Sequence, residues 1–276
     1  FRVGTMLSKD AVSARLNSEH GISYTEFSYQ ILQGYDYLEL YRRYGCTLQM
    51  GGSDQWGNLT SGTDLIRKVE GKSVHILATP LITNSDGQKF GKSEGNAVWL
   101  DAEFTSPYAF YQFWLNVDDA DVIDRLKVFT FLTRAEIEDL AKQTAEAPHL
   151  RAAQKRLALE VTTLVHSAQS AQAAIDASAA LFGQGDLAAL DADTLASALG
   201  ELPKTTASVG TPITQLLIET GLVDSISAGR RAIKEGGVYL NNEKIIDEAA
   251  VLTDLLHSKF AVLRRGKKTL AGVFTA

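Results

Sequence analysis

The residues best suited to chemistry are two lysines three positions apart on a glycine-containing segment, Lys89-Phe90-Gly91-Lys92-Ser93. Ammonium groups at that spacing can close over a polyphosphate, and a loop can bring them to charge that develops only in the transition state. The glycine spacing of a Walker A loop is missing. In isolation such a pentapeptide is more often a solvated basic turn. A second group, Tyr29, Gln33 and Asp36, is spaced i, i+4, i+7, so a helix would align it as one polar stripe while Phe27, Ile31 and Leu38 follow another face. A stripe of this kind meets water or lines a pocket, and spacing alone favours water. In a pocket, one carboxylate and two neutral hydrogen-bonding groups suit a small ligand with hydroxyl and ammonium groups, because buried polar atoms demand partners. Gly34 sits within the same run at a cost of about 1 kcal/mol relative to alanine, which close packing against it would explain.

Gln49, Gly51, Gly52, Asp54 and Gln55 cluster where a strand should end and a helix begin, the place at which open α/β sheets bind nucleotides. The plainer reading is a tight turn with Asp54 as a helix cap. Towards the end of the chain, Arg230, Arg231 and Lys234 share a short predicted helix, and Arg264, Arg265, Lys267 and Lys268 surround Gly266 at a predicted hairpin tip. Such cations make shape-dependent phosphate contacts on structured RNA, or else mark a solvated turn.

Charge distribution supports the first of these readings for the tail alone. The 276 residues carry a net charge of −6, which argues against wholesale binding to nucleic acid. From Pro212 onward, however, nine Lys/Arg face seven Asp/Glu, a balance of +2 against −8 for the rest. With 45% apolar residues, the chain can bury more than one core. No apolar run approaches the roughly 20 residues needed to span a bilayer. The single cysteine, Cys46, and five scattered histidines support neither a disulfide framework nor a metal site, and a cytoplasmic setting fits best. The chain opens on Phe1 with no signal-peptide pattern and is expected to start inside a longer protein.

The elements that would position these groups follow from caps and periodicity. Ser23 with Glu26 is a capping-box pattern opening a helix to about Tyr44; residues 47–50 and 74–83 read as strands, with Ser53 or Asp54 capping a helix between them. A glycine-, lysine- and serine-rich loop over residues 84–96 completes an α/β unit. Ser106-Pro107 and Thr133 to Glu136 start helices, and alanine-rich helix is expected to continue over residues 150–181. Residues 201–211 have linker composition. Beyond them, two short helices and two hairpins, the first turning at Asn241-Asn242, give a small α+β domain.

Together these segments resemble the bacterial tyrosyl-tRNA synthetases, a class I aminoacyl-tRNA synthetase family. The resemblance is carried in order by residues 24–36 (YTEFSYQILQGYD), 48–58 (LQMGGSDQWGN), 86–93 (DGQKFGKS), 105–114 (TSPYAFYQFW) and 264–268 (RRGKK). It implies an α/β architecture: the later part of a Rossmann-like catalytic domain over residues 1–104, a helical domain over 105–200, a linker over 201–211, and an S4-like RNA-binding domain over 212–276. It also implies that Tyr29 and Gln33 contact the amino group of tyrosine and Asp36 its phenolic hydroxyl, with Gln49 and Gln55 nearby. An unpaired Asp in such a pocket disfavours phenylalanine, a rule for which this enzyme type is itself the standing example. Gly52 and Asp54 would face the ribose of ATP, and Phe90 and Gly91 belong to the ATP loop. Lys89, Lys92 and Ser93 match the family's KMSKS-type loop and would neutralise charge as the tyrosine carboxylate attacks the α-phosphate. The implied partners are tyrosine, ATP with Mg2+, tRNA(Tyr) and a second subunit, with no prosthetic group and no protein-held metal.

One departure bears on activity. The family's HIGH-type signature is absent; the nearest approach, His75-Ile76-Leu77-Ala78, lacks the glycine and the second histidine. A molecule beginning at Phe1 is therefore expected not to activate tyrosine. An RNA-binding protein that keeps the scaffold without catalysis is the competing reading. The related tryptophanyl enzyme is another, against which Asp36 and the S4-like tail point to tyrosine.

Overall fold

The computed structural model describes residues 1–83, 85, 90, 98–266 and 269–275. They fall into two compact units, Phe1–Ser93 and Glu94–Ala276.

In the first unit, α1 (Val3–Leu7) and α2 (Asp10–Leu16) precede the long helix α3 (Tyr24–Tyr44). Ser23 starts α3 as expected, its hydroxyl accepting the Glu26 backbone N–H at 3.1 Å. Strand β1 (Leu48–Gly52), a 3-10 turn (Ser53–Gln55), α4 (Trp56–Glu70) and β2 (His75–Thr79) follow. The two strands pair in parallel from Leu48↔His75 to Gly52↔Thr79. The expected strand over 74–83 stops at Thr79 because Pro80 brings no N–H to the ladder.

Helices α3 and α4 meet through glycines. A Cβ on Gly62 would lie 2.8 Å from the Tyr37 ring, and one on Gly34 would lie 3.4 Å from the Gly62 backbone. The close packing inferred for Gly34 is thus met by α4 together with the Phe1 ring, whose Cζ would lie 3.2 Å away. Tyr37 is fully buried with Leu38 and Ile66, and its hydroxyl donates to the His75 carbonyl at 2.8 Å. Burial pushes the phenol pKa up, so it stays protonated as a donor.

In the second unit, Ser106 caps α5 (Pro107–Leu115) by accepting the Ala109 N–H at 3.2 Å. Helices α6 (Val122–Phe129) and α7 (Arg134–Glu146) follow, the latter opened by the predicted Thr133/Glu136 capping box. The expected continuous helix over 150–181 is instead two, α8 (Ala152–Val165) and α9 (Ala168–Leu181). The break falls where Ser167 turns extended and its hydroxyl takes the Ser170 N–H at 3.0 Å. Helix α10 (Ala192–Gly200) ends the helical part.

His166, at that break, is in edge-to-face contact with Phe110, ring centroids 4.9 Å apart. Burial lowers its pKa, because desolvation disfavours the imidazolium. The unfolded chain therefore binds the proton more readily than the folded one. Stability is full above the unfolded value of about 6.5 and is lost as pH falls through the lower folded pKa. Urea unfolding across this range should show a smaller acid loss in His166→Phe than in the wild type; identical slopes would contradict the assignment.

Residues 201–211, expected as linker, carry β3 (Lys204–Thr206). It pairs in parallel with β7 (Thr269–Phe274), Lys204↔Gly272 to Thr206↔Phe274, so the segment belongs to the C-terminal sheet. Helices α11 (Ile213–Glu219) and α12 (Ile226–Lys234) and strands β4 (Val238–Leu240), β5 (Glu243–Lys244) and β6 (Phe260–Arg265) complete it. The strand order is β3-β7-β6-β4-β5. Asn241 and Asn242 both take positive φ, 48° and 68°, the backbone a two-residue hairpin turn requires. Leu216, Leu217, Val238, Leu252, Leu263 and Val273 fill the core between helices and sheet.

Candidate functional site

The parallel pair β1–β2 places the ends of two sequence-distant segments side by side. Because Gly52 is paired with Thr79, the turn Ser53–Gln55 and residues 80–83 leave from one edge of the sheet. That carboxyl edge is where α/β sheets receive ligands. Phe90 is tied back to this segment by its N–H, which donates to the Ile82 carbonyl at 3.0 Å. Lys89, Gly91, Lys92 and Ser93 lie outside the described residues.

At the end of β1 the glycines make room for side chains that fold back. The Gln55 Cβ stands 3.4 Å from where a Cβ on Gly51 would be, and Asp54 Oδ1 stands 2.8 Å from the equivalent point on Gly52. Neither Ser53 nor Asp54 caps α4, as the sequence had suggested. The tight 3-10 turn moves the cap position to Gln55, whose side chain makes no cap bond. Asn58, in the first turn of α4, donates from Nδ2 to Gln55 Oε1 at 3.1 Å. Sequence reasoning gave Asn58 no role, although its i, i+3 spacing from Gln55 was the available signal. Gln49 faces the helices with Ile76 across the ladder, and its buried Oε1 has no hydrogen-bond partner among the described residues.

Helix α3 carries Tyr29, Gln33 and Asp36 along one stripe, as predicted. Gln33 is half-buried, whereas Asp36 and Tyr29 are exposed, Tyr29 to 53%. The stripe is therefore not enclosed within this unit. A closed pocket needs a facing wall, and the opposite face of the β1–β2 pair likewise leaves Leu48, Met50 and Leu77 exposed. A cavity between α1 and the α3–α4 pair, lined by Met6, Lys9, Gln30, Ser61, Asp64 and Lys68, does not include the stripe.

The predicted cationic cluster divides into two kinds. On α12, started by Ser225 taking the Ala228 N–H at 3.2 Å, Gly229, Ala232 and Ile233 are buried and Arg230, Arg231 and Lys234 exposed. At the β6 end, Arg264 stacks over the Tyr239 ring at 4.0 Å and donates to the Gly266 carbonyl at 3.2 Å. Arg265 donates to the Leu222 carbonyl at 2.6 Å. These two arginines are engaged within the domain, and Lys267 and Lys268 lie outside the described residues.

With this geometry in place, comparison with known proteins is direct. Residues 1–183 match the family model described as tRNA synthetases class I (W and Y). The chain belongs to that family. Residues 194–272 of this class I synthetase chain match a second model, the Tyrosine--tRNA ligase SYY-like C-terminal domain. It is 68% identical over 276 residues to the Tyrosine--tRNA ligase of Leifsonia xyli subsp. xyli, covering 99% of this chain and 62% of that protein. Against the Tyrosine--tRNA ligase of Streptomyces avermitilis the figures are 62% identity, 99% and 65%. The synthetase chain thus spans less than two thirds of the length of these relatives. Among solved structures, it is similar to a C-terminally truncated Aspergillus nidulans mitochondrial tyrosyl-tRNA synthetase, with TM-score 0.52 and 33% identity, over 63% of this chain and 49% of that one. The corresponding Coccidioides posadasii enzyme gives TM-score 0.50 and 36% identity, over 63% and 50%.

Proposed function

We propose that the protein is a tyrosine-tRNA ligase: it joins tyrosine to ATP as tyrosyl-adenylate and transfers the tyrosyl group to the 3′ end of tRNA(Tyr). The observation that carries this reading is the succession, on one chain, of a class I synthetase region and a tyrosine-ligase C-terminal domain. The stripe on α3 supports it, since Tyr29, Gln33 and Asp36 stand open to a ligand whose ends are an ammonium and a phenol. In this reading Gln49 and Gln55 serve the amino acid, and Gly52 and Asp54 the ribose. Lys89, Phe90, Gly91, Lys92 and Ser93 serve the phosphates. No side-chain nucleophile is required; positioning and electrostatics provide the catalysis, as expected at phosphorus.

The same proposal takes the α/β segment as Rossmann-like and the C-terminal domain as S4-like. Arg230, Arg231, Lys234, Arg264, Arg265, Lys267 and Lys268 would contact tRNA phosphate. ATP enters with Mg2+, the working molecule is a homodimer, and its place is the cytoplasm. No helix among the described residues is long and apolar enough to cross a membrane. Tyrosine-dependent pyrophosphate exchange by the full-length protein tests the reading, and exchange with tryptophan but not tyrosine would overturn it. In that assay Asp36→Ala should narrow the preference for tyrosine over phenylalanine, because it removes the acceptor for the hydroxyl. Unchanged selectivity would refute the role of Asp36.

A further inference from the structure

We infer that Asn58 is a positioning residue that sets the sense of the Gln55 amide, so that Gln55 offers N–H donors to the carboxylate of the bound amino acid. The inference rests on the proposed tyrosine reading, in which Gln55 lies beside the amino acid.

A glutamine amide can turn either a carbonyl or an NH2 group towards a ligand, and the two ends differ little in shape. What fixes the choice is the partner that occupies the other end. Here Asn58 Nδ2 donates to Gln55 Oε1 at 3.1 Å, and both side chains are half-buried. Asn58 is held in the first turn of α4, while Gln55 closes the 3-10 turn and folds back over Gly51. With its carbonyl engaged by a helix-held donor, Gln55 keeps its two N–H groups for a ligand. The amino acid reacts through its carboxylate, an acceptor on every lone pair. A carbonyl presented there would repel it, whereas an N–H stabilises it by a charge-assisted hydrogen bond. Asn58 thus selects the anion-binding face of Gln55 without touching the substrate.

The test is calorimetric titration of the full-length protein, without ATP, with tyrosine and with tyramine, which keeps the phenol and the ammonium but lacks the carboxylate. Asn58→Asp is nearly isosteric and accepts where asparagine donates, so it should turn the Gln55 carbonyl outward. Tyrosine affinity is expected to fall by about tenfold or more, the worth of one charge-assisted hydrogen bond, while tyramine binds as well as before or better. Asn58→Ala, which merely frees the amide, should give a smaller loss for tyrosine and none for tyramine. A purely structural role would reverse that order, with the isostere milder than alanine and both ligands weakened alike. Equal losses for the two ligands, or undiminished tyrosine binding in Asn58→Asp, would overturn the assignment of Asn58. A wild-type protein that binds neither ligand would overturn the tyrosine reading beneath it.

Discussion

Replacing Lys92 by alanine in the full-length protein is expected to slow tyrosyl-adenylate formation by about two orders of magnitude, the usual cost of removing one group aimed at transition-state charge. Tyrosine affinity should hardly change. In the proposed reaction the carboxylate would attack the α-phosphate and negative charge would gather on the departing pyrophosphate; an ammonium that meets it only then would lower the barrier without tightening the ground state. The ends of the parallel strands at Gly52 and Thr79 are paired, so the chain leaving β2 at Pro80 sets out beside Asp54 and Gln55; Lys92 itself lies outside the described residues. Single-turnover measurement of the rate, beside equilibrium binding of tyrosine, separates the two quantities. Equal losses in both would show that Lys92 acts in binding instead of in the chemical step.

The second large effect concerns stability. Gly62→Val should lower the unfolding free energy by about 2–3 kcal/mol, the upper part of the range for overpacked cores. A Cβ at this position would stand 2.8 Å from Tyr37 Cδ1 and 3.1 Å from Tyr37 Cβ. Tyr37 has no room to retreat, being fully buried and bonded through its hydroxyl to the His75 carbonyl. Helix propensity works in the opposite direction, since leaving glycine gains at most about 1 kcal/mol, so overpacking wins. Gly200→Ala is the contrast: nothing lies within 4 Å of its added carbon, and the change should be neutral or slightly stabilising. Urea midpoints measure both, and a Gly62→Val protein as stable as the wild type would mean that α3 and α4 can separate freely.

Much of the positioning framework was legible because it is local. Ser23 and the Thr133/Glu136 box announce their helices within four residues, and Asn241-Asn242 announces its hairpin. What escaped depends on partners distant in sequence or on weak local contrast. Strand β3 looked like linker because Pro203, Thr205 and Gly210 read as loop residues, while its ladder partner β7 comes more than 60 residues later. The break at Ser167 was masked by alanine on both sides, which favours helix everywhere and marks no boundary. For the site, spacing identified the stripe on α3 and the glycine turn after β1. Burial is another matter: whether Asp36 faces solvent depends on what stands opposite, and helical periodicity carries no such information. Asn58 escaped because its role is to orient another side chain, and the Tyr239 ring beneath Arg264 because a cation at a predicted hairpin tip looks solvated from sequence.

The glycine contact between α3 and α4 has a mechanical result. Where most helix pairs are cushioned by interlocking side chains, here the Tyr37 ring lies directly on Gly62 and Gly34 comes close to the Gly62 and Ser61 backbone, which leaves little room between the two helices. A side chain added at either glycine would therefore have to push the two helices apart, shifting the start of α4 relative to the polar stripe on α3.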